Sequence, residues 1–354
     1  MFVRICRSIG LLGVGATVVV LAQGPGGIPP GTTRYKLSVP TGIPAPPIPV
    51  DNQLTNEGVA LGLRLFNEKR LSGNDTQACS TCHRPAAAFS DAGNAVSTGI
   101  SGQKGTRNAP GLFNLAYQHT FFWDGRSPSL RAQALAPIQN PVEMNQSLTA
   151  ALKKLSADST YVAQFAKAFG SPGVTSARIG LALEQYEETL LAGSSKFDRA
   201  KSGLIRLTAQ ELRGQQVFNT PFNPRQNQFG GDCARCHGGP LFSDFKFRNN
   251  GLDAQPKDPG LQAVTGRASD FGLFKTPSVR NLTATGPYMH DGRFQTLEQV
   301  VQHYSSGIVS SPTLDNGLAR QPGGVQLNAA DQAALVAFLK TLVEPQFPSK
   351  VISP

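Results

Sequence analysis

Two five-residue segments, CSTCH and CARCH, constrain the fold of this chain more than anything else in it. In each, two cysteines three residues apart are followed at once by histidine: Cys79, Cys82 and His83, then Cys233, Cys236 and His237. This is the form of a c-type haem attachment site. Two thiols add to the porphyrin vinyl groups, and the histidine reaches the iron as its proximal ligand. A domain folded around a haem takes much of its core from the porphyrin, so long irregular segments between helices are expected.

At 354 residues the chain can bury two ordinary cores, and two haem sites about 150 residues apart fit two domains. Residues 1–22 read as a secretory signal: Arg4 and Arg7 precede the apolar stretch Ile9–Ala22, which ends in a Val20-Leu21-Ala22 cleavage site. The stretch is short for a membrane span, which leaves an uncleaved anchor as the minority alternative. Cleavage would remove Cys6 and leave four cysteines, all inside the two haem signatures, so no structural disulfide is expected. Covalent haem attachment takes place outside the bacterial cytoplasm, and a periplasmic location is the expectation. The formal charge of +10 is spread along the chain rather than clustered, and no nucleic-acid module is recognisable. Steering of an acidic redox partner remains open.

Residues 23–50 are rich in Pro and Gly and read as a leader. Beyond it the chain repeats itself. Residues 110–137 align without a gap with residues 277–304, at an offset of 167, and the unbroken Asp124-Gly125-Arg126 matches Asp291-Gly292-Arg293. Gly62 and Phe66 precede the first haem signature as Gly214 and Phe218 precede the second. Ile179, Leu183, Tyr186 and Leu190 share one helical face, as do Leu335, Phe338, Leu339 and Leu342. Thr208 and Glu211 form a capping box, and Asn328 can cap the last helix. The expected fold is all-α: two cytochrome c-like domains related by duplication, residues 51–205 and 206–354, each holding one covalently bound haem.

The second axial position of each iron separates electron transfer from chemistry. After removal of the signal, the methionines are Met144 and Met289, and the spare histidines are His119, His290 and His303. The repeat register sets Tyr304 opposite Pro137. Tyrosine can bind ferric haem through its phenolate, whereas proline has no side-chain ligand. This predicts a closed haem at His237 and Tyr304 and an open one at His83. His303 is the rival to Tyr304, and the register favours the tyrosine. Met289 ranks below both because its counterpart, Phe122, cannot ligate. An open ferric haem beside a carboxylate is a peroxide site, and Glu143, six residues beyond Pro137, is either the acid–base group above that iron or a surface carboxylate on a loop. Trp123, the sole tryptophan, is either a bridge for electrons between the haems or a large core aromatic. Arg126 and Arg293 read as propionate clamps, since a guanidinium suits a carboxylate bidentately.

Taken together, CSTCH, RNAPGLFNLAY, FFWDGRSPSL, PIQNPVEMN, CARCHGGPLFSD and FKTPSVRNLTATGPYMHDGRFQTLEQVVQHY resemble the bacterial dihaem cytochrome c peroxidase superfamily, over residues 50 to 345 or so. The resemblance implies a periplasmic two-domain helical protein with a calcium ion between its haems. Its ligands would be Asn108, Thr285 and Pro287, and Glu143 would match the distal glutamate. Two departures point to the MauG-like branch. Residues 84–107 lack the removable distal histidine of the respiratory enzymes, and Tyr304 stands where they carry methionine. The resemblance implies hydrogen peroxide as substrate. The electrons would come from a small cytochrome c, a copper protein or a side chain of a protein substrate. Two competing readings remain: a non-catalytic dihaem carrier with both irons six-coordinate, and zinc or redox-disulfide use of the cysteine pairs.

Overall fold

The computed structural model describes residues 28–346, so the expected signal peptide and the first residues of the leader lie outside the described residues. Eight helices of nine or more residues carry the architecture among them: α1 (Asn56–Phe66), α2 (Leu130–Gln139), α3 (Leu148–Ser156), α4 (Ser159–Phe169), α5 (Ser176–Glu188), α6 (Ala209–Asn219), α7 (Leu297–Ser306) and α8 (Ala329–Lys340). Sheet is confined to two antiparallel ribbons of two-residue strands. One pairs β1 (Phe222–Asn223) with β2 (Gln228–Phe229), and the other pairs β3 (Phe247–Arg248) with β4 (Phe274–Lys275). The helical expectation holds in this sense, with long irregular segments joining the helices.

Local chemistry explains the helix ends. Thr55, Ser129, Ser147 and Thr175 each cap a helix by accepting a backbone N–H of its first turn. The expected capping box of Thr208 and Glu211 opens α6, and Asn328 accepts from Asp331 to open α8. Pro137 sits near the end of α2, where its missing N–H costs one ladder bond and the helix stops two residues later.

The buried apolar side chains form two clusters. In the first, α1 and α5 cross with Leu61, Leu65, Ile179 and Leu183 fully buried, and Tyr161 and Phe165 of α4 close one side. In the second, α6 and α8 cross with Val217, Phe218, Phe338 and Leu339 inside. Both crossings depend on glycine. A methyl group on Gly62 would strike the carbonyl of Ala182, and one on Gly214 would strike that of Ala334. The short helix Lys196–Lys201 packs its Phe197 into the second cluster, against Phe242 and Phe338.

Segments 167 residues apart adopt matching conformations. Helices α2 and α7 begin and end at positions with that offset, each behind a hydroxyl cap, Ser129 and Thr296. Asn114 and Asn281 both take left-handed backbone, as do Phe122 and Met289. The bridge between Phe121 and Ser127 recurs between Tyr288 and Phe294.

The two halves meet through backbone hydrogen bonds: Gly93 N–H to Gly286 O (3.0 Å), Asn108 N–H to His290 O (2.7 Å) and Lys275 N–H to Trp123 O (2.8 Å). No helix among the described residues is long and apolar enough to cross a membrane.

Candidate haem sites

Each Cys-x-x-Cys-His segment forms a single helical turn, Cys79–Cys82 in the first half and Ala234–His237 in the second. All four thiols are free, and burial pushes those of Cys79 and Cys233 up to about 12. Among the described residues no three His, Cys, Asp or Glu side chains converge as metal ligands.

The two histidines are held alike. His83 Nδ1 donates to the carbonyl of Phe89 at 2.8 Å, with the Pro110 carbonyl nearby. His237 Nδ1 donates to the carbonyl of Pro277 at 3.1 Å, with the Phe242 carbonyl nearby. Each bond fixes the tautomer and leaves Nε2 as the ligating nitrogen. Burial lowers both rings below the ordinary histidine value, His237 to about 4, so both are neutral imidazoles fit for iron. Thiols and imidazoles together fit a haem at each site.

The residues expected on the two distal sides differ in their surroundings. Tyr304, on α7, lies within electrostatic reach of Cys236 and Cys233, and its hydroxyl accepts from Asn250 Nδ2 at 3.3 Å. Burial pushes that hydroxyl up to about 12, with Asn250 opposing. His303 turns elsewhere. Its Nε2 donates to the Asn250 carbonyl at 3.0 Å, and its ring lies by Phe294 and lines a groove with Arg293 and Gln302. Met289 Sδ meets the same Asn250 amide at 3.4 Å. Of the other candidate ligands named in the first half, Met144 is buried in the apolar cluster and His119 is exposed.

Glu143 lies close enough to Cys82 to raise its thiol. Its own carboxyl is raised by burial, against the opposing pull of a hydrogen bond from Asn140 and the charge of Arg126. Asn140 is a residue that sequence reasoning passed over. Its Oδ1 accepts from Val142 N–H at 3.0 Å, and this orients Nδ2 to donate to Glu143 Oε1 at 3.0 Å. An Asn-Pro-x-Glu turn directly after a helix was the available signal. Asn250 was passed over too, and no local pattern marks it.

Trp123 spans the junction between halves: its indole N–H donates to Asn108 O at 2.8 Å while its carbonyl accepts from Lys275. The Asn108 amide donates to the carbonyls of Asn94 and Ala95, and its Oδ1 accepts no hydrogen bond among the described residues. Gly286, between Thr285 and Pro287, is bonded to neighbouring Gly93. Asn108 and Gly286, the residue between Thr285 and Pro287, are thus both bonded to the 93–95 segment. Arg126 bonds Asp124 at 3.0 Å and lies over the Phe122 ring, and among the described residues its Nη2 has no hydrogen-bond partner. Arg293 has all three guanidinium nitrogens engaged by Asp253, Asp291 and the Leu252 carbonyl.

Residues 56–204 match the model of the di-haem cytochrome c peroxidase family. The methylamine utilization protein MauG of Methylorubrum extorquens is 37% identical over 299 residues, 84% of this chain and 81% of that protein. The cytochrome c551 peroxidase of Nitrosomonas europaea is 34% identical, covering 83% of each. A crystal structure of a MauG-like protein associated with microbial copper homeostasis superposes with a TM-score of 0.76 at 34% identity, covering 89% of this chain and 99% of that one. The chain belongs to the di-haem cytochrome c peroxidase family, and it is a peroxidase-type oxidoreductase that works with two haems.

Proposed function

We propose that this protein reduces hydrogen peroxide at an open haem on His83, using electrons relayed from a second haem held between His237 and Tyr304. Each haem would be joined covalently to its cysteine pair, Cys79 and Cys82 or Cys233 and Cys236, in domains of residues 51–205 and 206–354 that arose by duplication. The observation that carries this reading is the asymmetry at one repeat position: α2 offers Pro137 where α7 offers the Tyr304 phenol. The buried Met144 and the exposed His119 leave the His83 iron without an evident sixth ligand, which weighs against a pure carrier.

When bound, the haems supply the redox chemistry of the overall reaction, in which peroxide, two electrons and two protons give two waters. Glu143 takes the proton from one peroxide oxygen and delivers it to the departing one, as general base and then acid. Asn140 fixes the carboxylate for that transfer, and the raised carboxyl lies nearer to the working pH than an ordinary glutamate. Trp123 relays electrons across the junction. A calcium ion on Asn108, Thr285 and Pro287 would stiffen that junction. Arg126 has a nitrogen to spare for a propionate, and Arg293 would have to give up an aspartate contact to bind one. Residues 1–22 would direct the chain to the periplasm, where a small cytochrome, a copper protein or an oxidisable side chain of a partner protein supplies electrons.

Rapid mixing of the diferric protein with hydrogen peroxide tests the reading. The expected result is a prompt Soret change and two electrons drawn from a reduced small cytochrome per peroxide. Haem spectra indifferent to peroxide would make the protein a carrier.

A further inference from the structure

The junction around Trp123 is closed by a residue with no part in the chemistry above. Arg107 is largely buried, with 17% of its side chain exposed, and it faces two carboxylates from different halves. Its Nη1 meets Asp124 Oδ2 at 2.5 Å, and its Nε and Nη2 grip Asp258 at 2.7 and 2.8 Å. The planar guanidinium suits this two-sided grip, which a lysine could not reproduce. Asp258 is itself fixed by Gly260 N–H at 2.9 Å, and the guanidinium lies by the Phe274 ring.

These contacts form a closed circuit with Trp123. Arg107 holds Asp124, the residue after the tryptophan, and Asn108, the residue after the arginine, accepts the indole N–H. The same two segments are tied to the second half by Arg107 to Asp258, Asn108 N–H to His290 O, and Lys275 N–H to Trp123 O. Without Arg107, Asp124 and Asp258 would face each other with less neutralisation beside the segment that holds the indole.

We propose that Arg107 is the positioning residue of Trp123: by drawing Asp124 and Asp258 together it closes the two halves on the indole and fixes its hydrogen bond to Asn108. This rests on the reading of Trp123 as the relay between haems. The consequence is that transfer between the haems depends on an ion pair outside the proposed iron ligands.

Because Trp123 is the sole tryptophan, ultraviolet resonance Raman of the holoprotein reads its indole N–H hydrogen bond without interference from other indoles. Arg107→Met and the near-isosteric Asp258→Asn should both move that band toward the unbonded position, with both haems retained. Both should also slow redistribution of oxidising equivalents between the haems by about tenfold or more. Arg107→Lys should recover only part of either effect. An unmoved indole band in Asp258→Asn, the variant least apt to disturb folding, would overturn the proposal whatever the rates. A moved band with unchanged transfer would keep Arg107 as the positioning residue and remove Trp123 from the relay.

Discussion

Pro137 and Tyr304 occupy the same place in two helices, the eighth residue of α2 and of α7, and only one of them carries a group able to bind iron. Both helices start behind a hydroxyl cap and follow an Asp-Gly-Arg turn, so one scaffold presents two different residues at one position. On the proposed function, that single side-chain difference separates a site for peroxide from a site for electrons.

Tyr304→Phe should open the second iron. Its visible spectrum should change from low-spin to high-spin with both haems still attached. A spectrum that stays low-spin would assign the ligand to another residue, His303 first, despite its bond to the Asn250 carbonyl.

Glu143→Gln should slow the reaction with peroxide by about a hundredfold or more, the usual scale for loss of a positioned acid–base group. In the unmutated protein the rate should fall with decreasing pH as Glu143 gains its proton, at a pH above the ordinary glutamate value because burial raises this carboxyl. Asn140→Ala removes a hydrogen bond that favours the ionised form, so the acid limb should move to higher pH still. Stopped-flow rates across pH check both.

Glu187 and Glu188 lie side by side at the end of α5, each 3% exposed and each with one oxygen lacking a hydrogen bond among the described residues. Burial raises them to about 8 and about 9. The native state thus binds protons that the unfolded chain releases near 4.5, and stability should fall as pH rises from there through 8 to 9. The loss is at most about 1.4 kcal/mol per pH unit for each group. Thermal melts from pH 5 to 9 should slope downward, and Glu187→Gln with Glu188→Gln should flatten them.

Arg280 has no exposed surface, and its guanidinium meets Asp198 at 2.7 and 2.9 Å and the Pro240 carbonyl at 2.7 Å. Arg280→Met strands the Asp198 carboxylate in the second half's interior, which should cost about 3–5 kcal/mol in denaturant unfolding. A loss under 1 kcal/mol or so would mean that water reaches the aspartate.

The haem signatures and the 167-residue repeat were legible because their information is local: spacing within five residues, and an ungapped run of matches. The helical faces were legible from period alone, though Leu190 and Leu342 fall just past the ends of α5 and α8. What escaped depends on contacts across the chain. Asn250 lies 54 residues from the hydroxyl it meets, and Arg107 lies 151 from Asp258. No periodicity encodes such pairs. Tyr304 and His303 are adjacent residues of one helix, and in the sequence only the repeat register separates them.

Low-temperature EPR of the resting diferric protein tests the central claim most directly. One high-spin and one low-spin haem in equal amounts are predicted, from an open site at His83 and a closed one at His237 and Tyr304. Two low-spin signals would mean that the first iron is covered, and would contradict the account.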